Sequence, residues 1–444
     1  MDRIAVIDLG EVSAGQVLDD PPARGWPHRR WALVAVALGL VLGTAGGSAP
    51  VPRPLPMAVV DAPSDLITVH VVGDRIFVAD APGPGERSIA GYRLMDLEPL
   101  WRVDLPIGGQ TTGLALAGDT LVLIGEPQAI GQPDGQLAVE PDIVGLDAAT
   151  GATRWRHRGF VEGPTPGGRL LVSVRPAGPG GDPPPGELMT VRALSADTGD
   201  VVWSYDAPAG ALMANHYDGP RVALLGVLLP TGRFELRDAD TGQILRSGQI
   251  DVAAATAGPE HYVEIVGDFL VVRETSRVAV YGLDRLDLRW TIPVRPGQDG
   301  AVSWCGQLLC LNSQNWQGIS ALDPQTGRIK WSQPRWSTVQ PAGEHLVAVE
   351  SDPQRDGQHV VVIDPETGHA RRDLGAWQGL DWTADSITGM RFDRTEALVA
   401  RLDPARGVRV LGVLHDVSRD CWITASMLLC RRTDNKIGVW RLPE

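Results

Sequence analysis

Phenylalanine and tyrosine are scarce, five of each among 444 residues, against fourteen tryptophans. That imbalance points to a repeated structural position that uses Trp. Cysteine is scarce too: the chain has only Cys305, Cys310, Cys421 and Cys430. There is no C-x-x-C pair and the nine histidines are scattered singly, which argues against a zinc site. An even number in two close pairs fits two local disulfides in an oxidising compartment, with reduced buried thiols as the alternative. Basic charge is in deficit, 40 Lys and Arg against 54 Asp and Glu, for a net charge of −14. An acidic surface repels phosphate backbones, so nucleic acid is not expected as a partner; such a surface also keeps a secreted domain soluble. With 43% hydrophobic residues the chain is not disordered by composition.

Long apolar runs are missing, with one exception. Residues 31–47, WALVAVALGLVLGTAGG, carry no charge and approach the length needed to span a bilayer. His28, Arg29 and Arg30 precede the run, which places the N-terminus in the cytoplasm and everything after it outside. The expectation is a single-pass membrane anchor. A cleavable signal peptide ending near Gly43-Thr44-Ala45 is the competing reading, but the stretch before the run is long and contains five acidic residues. No Cys follows the run until Cys305, which argues against a lipid-anchored form. The expected organisation is a cytoplasmic, disordered tail at 1–30, the anchor at 31–47, a Pro-rich spacer and possible ring-closing strand at 48–60, and one repeat domain at 61–444.

Gly and Pro are abundant, 52 and 35, and they punctuate a repeat. The segments IVGLDAATGATRW (143–155), VRALSADTGDVVW (191–203), FELRDADTGQILR (234–246), ISALDPQTGRIKW (319–331), VVVIDPETGHARR (360–372) and LVARLDPARGVRV (398–410) share one plan. An alternating apolar strand runs into an Asp-x-x-Thr-Gly turn and out into a second strand. The Asp side chain accepts from backbone N–H groups two or three residues on. The Gly supplies the positive φ that ends the turn. Candidate turn residues are Asp147, Gly151, Gly199, Asp238, Gly242, Asp323, Gly327, Asp364, Gly368, Asp403 and Gly407. Trp155, Trp203 and Trp331 fall four residues after the Gly, where a flat side chain wedges between neighbouring sheets. Two degenerate copies, around Asp96 and Asp284, lack the Gly and bring Trp101 and Trp290 sooner. A short apolar run precedes each hairpin, so each unit holds about four strands, the signature of a propeller blade.

This strand–Asp-x-x-Thr-Gly-x-x-x-Trp–strand unit resembles the pyrroloquinoline-quinone-like (PQQ-like) repeat. That repeat occurs in quinoprotein dehydrogenases and in the lipoprotein that assists outer-membrane protein assembly. The anchor-plus-propeller layout also looks like that of actinobacterial members of this superfamily. The resemblance covers roughly residues 65–444 and implies an all-β, PQQ-like β-propeller. Eight hairpin units and a C-terminal remnant are visible, and LPMAVV (55–60) is suited to complete the remnant. With one degenerate unit discounted, the expectation is eight blades of four antiparallel strands, preceded by one transmembrane helix. Both cysteine pairs fall where they would staple the first hairpin of a blade.

The resemblance implies that the enzymes of this group bind PQQ and calcium, often over a disulfide between adjacent cysteines. No two cysteines are adjacent here and no calcium-ligand set can be mapped, so no cofactor, no metal and no catalytic residue is expected. His216, His261 and His415 show no partners that suggest a triad. Several second-to-third strand connections are long, at 126–141, 175–187 and 351–359, and loops on a rigid ring commonly carry recognition. Trp316 in NSQNWQG is a candidate partner contact. The expected function is a non-enzymatic binding scaffold at the cell surface for a protein or envelope component. The alternative is a divergent enzyme, either a carbohydrate-active hydrolase or a quinoprotein dehydrogenase.

Overall fold

Each repeat folds as the alternation dictates. In Leu121–Leu123, Leu170–Val172 and Leu270–Val272 every residue is almost wholly buried, because these second strands pack on both faces. The computed structural model describes residues 54–442 except 55, 57, 62–66, 84–85, 95–96, 106–110, 127–128, 133–134, 139, 175–188, 253–260, 275, 294–301, 313–317, 352–356, 383–386 and 424–426. Within them the strands form nine antiparallel four-stranded sheets, seven built from consecutive strands. The first, for example, runs Ile67–Val72, Arg75–Gly83, Glu86–Arg93, Pro99–Asp104. A small extra hairpin, Ala129–Gln132 with Gly135–Ala138, rises from the second-to-third connection of the second sheet.

The hydrophobic core is divided into nine wedges, each shared by two successive sheets. Phe77 and Ala79 pack towards the second sheet with Leu121 and Leu123. Ile76 and Val78, one residue out of phase, pack towards the ninth sheet with Leu429 and Val439. The period-two alternation of one strand thus serves two neighbours, and the wedge between ninth and first sheets closes the ring.

The closure is in the sequence register. The ninth sheet takes Val417–Ile423, Met427–Arg432 and Lys436–Arg441 from the C-terminal end. Its fourth strand is Ala58–Asp61, paired Ala58↔Val439 through Asp61↔Lys436. The Trp440 indole N–H also donates to the Pro54 carbonyl at 3.2 Å.

Two expectations are corrected. The ring has nine blades, not eight, because both degenerate units form complete sheets. Where the turn Gly is missing, Leu97 (φ 54°) and Leu286 (φ 56°) take the left-handed conformation instead. Their N–H groups close the turns on Arg93 O and Gly282 O at 2.8 Å each. A non-glycine residue there costs on the order of 1–2 kcal/mol. Burying both leucine side chains, 8% and 7% exposed, offsets that cost. The second correction concerns the helix expected at 31–47. The described residues contain no helix, so none long and apolar enough to cross a membrane; residues 31–47 themselves lie outside them.

Candidate functional site

Two regions concentrate polar chemistry, the rim of third-to-fourth strand turns and the ring axis. At the rim, Asp147 Oδ1 accepts the Ala149 and Thr150 N–H groups at 3.0 and 2.8 Å and the Thr150 hydroxyl at 2.9 Å. Its Oδ2 accepts Arg154 at 2.6 Å. The Arg154 guanidinium and the Thr150 donors hold the Asp147 carboxyl down at about 2. Asp238, Asp323, Asp364 and Asp403 take the same turn-capping bonds. The Thr326 hydroxyl lowers the pKa of Asp323, and the Glu366 N–H lowers that of Asp364.

The turn glycines Gly151, Gly199, Gly242, Gly327, Gly368 and Gly407 all have positive φ, from 67° to 105°. Five of them also receive a tryptophan from the preceding sheet. A Cβ on Gly199 would lie 2.6 Å from the Trp155 ring, and one on Gly327 2.5 Å from that of Trp290. The indole N–H of each docked Trp then donates to a turn carbonyl: Trp101 to Ala148, Trp155 to Ala196, Trp203 to Asp240, Trp290 to Pro324 and Trp331 to Pro365, at 2.7–3.1 Å. Where the repeat lacks Trp, Arg246 reaches Leu283 O at 2.8 Å and Arg372 reaches Pro404 O at 3.1 Å. Repetition in sequence is therefore a repeated joint between sheets.

Both cysteine pairs are disulfides joining the first two strands of a sheet: Cys305–Cys310 in the sixth, with Cα atoms 5.8 Å apart, and Cys421–Cys430 in the ninth, 4.1 Å apart. His415 Nδ1 lies 2.9 Å from Glu396 Oε1 across two paired strands, a surface pair. Trp316 and residues 175–187 lie outside the described residues. Among the described residues, no group of three or more His, Cys, Asp or Glu is arranged to hold a metal ion.

At the axis the sequence reading had singled out only Cys421. A cavity of roughly 510 Å³ opens between the innermost strands of the first, eighth and ninth sheets, Ile67–Val72, Gly379–Trp382 and Val417–Ile423. Its polar lining comes from His70, Gln378, Asp381 and Arg419, and its aromatic lining from Phe392 and Trp422. Gln378 is held by its N–H to Met390 O at 2.8 Å and by accepting the Phe392 N–H at its amide oxygen. The disulfide at Cys421 fixes the strand that carries Arg419 and Trp422. Burial pushes the Asp381 carboxyl up and the His70 imidazole down, each away from its charged form. Neither side chain has a hydrogen-bond or ionic partner among the described residues.

Two carboxylates on other innermost strands are already engaged. Glu162 accepts Ser173 Oγ at 2.6 Å and Asn215 Nδ2 at 2.7 Å. Glu264 accepts the Val302 N–H at 3.3 Å, while burial raises its pKa. The signal for the cavity was present in the sequence, as a lone His in the apolar strand ITVHVV and a lone Asp in GLDW. Only the ring brings the two strands together.

Several comparisons bear on this arrangement. Among solved structures the chain is similar to BamB from Moraxella catarrhalis, with 14% identity over 87% of this chain and 100% of that one and a TM-score of 0.45. It is similar to the computationally designed Ika8 protein, with 13% identity over 88% of this chain and 100% of that one, at 0.44. Quinohemoprotein alcohol dehydrogenase ADHIIG from Pseudomonas putida HK5 gives 14% identity over 66% of this chain and 61% of that one, at 0.37. No curated protein matches. The family model described as outer membrane protein assembly factor BamB matches residues 87–333, more than half of the 444. With its four-stranded blades and docked tryptophans, this chain belongs to that family, within the PQQ-like β-propeller superfamily.

Proposed function

We propose that this protein is a non-enzymatic scaffold of the cell envelope that presents a nine-bladed ring to a protein or envelope component outside the cytoplasm. Membership in a family described as an assembly factor carries the reading. The physical support is a ring whose joints repeat the same satisfied contacts, a rigid mount for recognition loops. Long second-to-third strand connections leave the ring on the side opposite the Asp-x-x-Thr-Gly turns, and one of them carries the extra hairpin at Ala129–Ala138. The apolar run at 31–47 with its basic flank favours attachment to a membrane, and the two disulfides favour an oxidising compartment.

The test is deletion of residues 176–186 in cells treated with a crosslinker. Capture of the partner should fall while the melting temperature of the purified protein holds. Unchanged capture would count against that side of the ring. A cysteine-accessibility assay on intact cells, with a reporter cysteine placed at Ser332 on the exposed fourth strand of the sixth sheet, reads the location. Protection from an impermeant thiol reagent would place the ring inside.

A further inference from the structure

We infer that the axial cavity between the first, eighth and ninth sheets is a binding site for a neutral saccharide. Its volume of roughly 510 Å³ falls within the range of small-molecule sites, about 300–1,000 Å³. Three features of the lining choose the ligand class together.

The first is unspent hydrogen-bonding capacity. The Asp381 carboxylate only accepts, and His70 in its neutral form accepts at one ring nitrogen and donates at the other. Both border the cavity without a partner among the described residues, and the innermost strands there have one unpaired edge each. A ligand that fits must bring several donors and acceptors.

The second is charge. Asp381 disfavours an anion and Arg419 disfavours a cation. A site that withdraws a carboxyl and an imidazole from water selects against ligands carrying a full charge. The third is the apolar wall. Phe392 and Trp422 line it together with Leu380, Met390 and Ile423. A ligand with hydroxyls at its edge and C–H groups on its face satisfies all three, whereas a lipid tail would strand Asp381 and His70 unpaired.

The lining shares no residue with the long connections at 126–141, 175–187 and 351–359, so the site is tested independently of partner capture. The full-length chain, purified in a zwitterionic detergent without a sugar headgroup, is applied to an array of neutral, anionic and amino-substituted di- to tetrasaccharides. Hits are titrated by calorimetry, with spermidine as a cation control. Binding of neutral saccharides is expected. Asp381→Asn and His70→Gln should each weaken it about tenfold or more, the range for leaving a buried polar partner unpaired, with no loss of melting temperature. Trp422→Phe keeps an aromatic face should Trp422→Ala fail to fold, and is expected to weaken binding less than Asp381→Asn. Absence of neutral-saccharide binding, binding indifferent to both polar substitutions, or Asp381-dependent binding of spermidine instead would overturn the assignment.

Discussion

Asp147 at the rim and Asp381 at the axis are the same residue type in the same ring, yet their pKa values move in opposite directions. At the rim Asp147 is enclosed by turn N–H groups, the Thr150 hydroxyl and Arg154, so its ionisation stabilises the fold. At the axis the carboxyl is desolvated with nothing described to compensate it, so ionisation opposes the fold. The rim is copied from sheet to sheet because each repeat meets its neighbour through the same kind of joint. The cavity is confined to three sheets and breaks that uniformity. Where a repeat protein leaves a polar group unsatisfied, stability is not what the residue serves.

The sharpest way to break the contrast is to remove one joint. Trp155→Ala, which deletes a 7%-exposed side chain and its bond to Ala196 O, should cost about 3–5 kcal/mol in chemical denaturation. Trp155→Phe keeps most of the packing and should cost less than half as much. A finer cut compares two turn glycines. Gly199→Ala meets Trp155 at 2.6 Å in addition to its positive φ, and should cost about 2–4 kcal/mol. Gly407 has positive φ but open space, since Arg372 rather than Trp docks at that turn. Gly407→Ala should cost only about 1 kcal/mol, and equal losses would show that the docked ring adds nothing.

Replacing Cys421 and Cys430 together by Ser removes a cross-link from the cavity-lining strand Val417–Ile423 to its neighbour Met427–Arg432. By the loop-entropy relation it should cost about 2–3 kcal/mol, read from the denaturation midpoint.

The smallest effect is the most diagnostic, because its sign differs between the regions. Asp381 has a folded pKa above its ordinary 3.8, so its ionisation costs stability as pH rises past that ordinary value. Asp381→Asn should therefore raise stability at pH 7, by less than about 1 kcal/mol after solvent screening, with no gain below about pH 3. Asp147 is held at about 2 against an ordinary 3.8. Its contribution is complete above pH 4 and is lost as pH falls through about 2. Asp147→Asn should lower the melting temperature at pH 7, and the difference should shrink as pH falls towards and through about 2. Melting curves of both variants across pH check the pair, and shifts of the same sign would remove the distinction between rim and axis.

Much of this was readable before any coordinates. The hairpin with its aspartate cap, the strand alternation and the two local cysteine pairs are all consequences of short-range order. They depend on turn chemistry and on a period of two, which a linear reading can see. The blade count went astray at Leu97 and Leu286, because a missing Gly looks like a missing turn. Whether a leucine tolerates a left-handed conformation depends on what buries its side chain, and that is a property of the neighbouring sheet.

By itself the sequence determined the unit: a four-stranded sheet with an Asp-capped turn and a tryptophan to offer its neighbour. Only the tertiary structure decided the number of units, the turn into which each tryptophan is received, and the meeting of His70, Asp381 and Trp422 around one cavity. Residue 70 lies more than 300 positions before 381 and 422, which are themselves 41 apart, and no local rule couples the three. Ring closure does, because stacking nine wedges through a full circle is what brings the first sheet against the ninth.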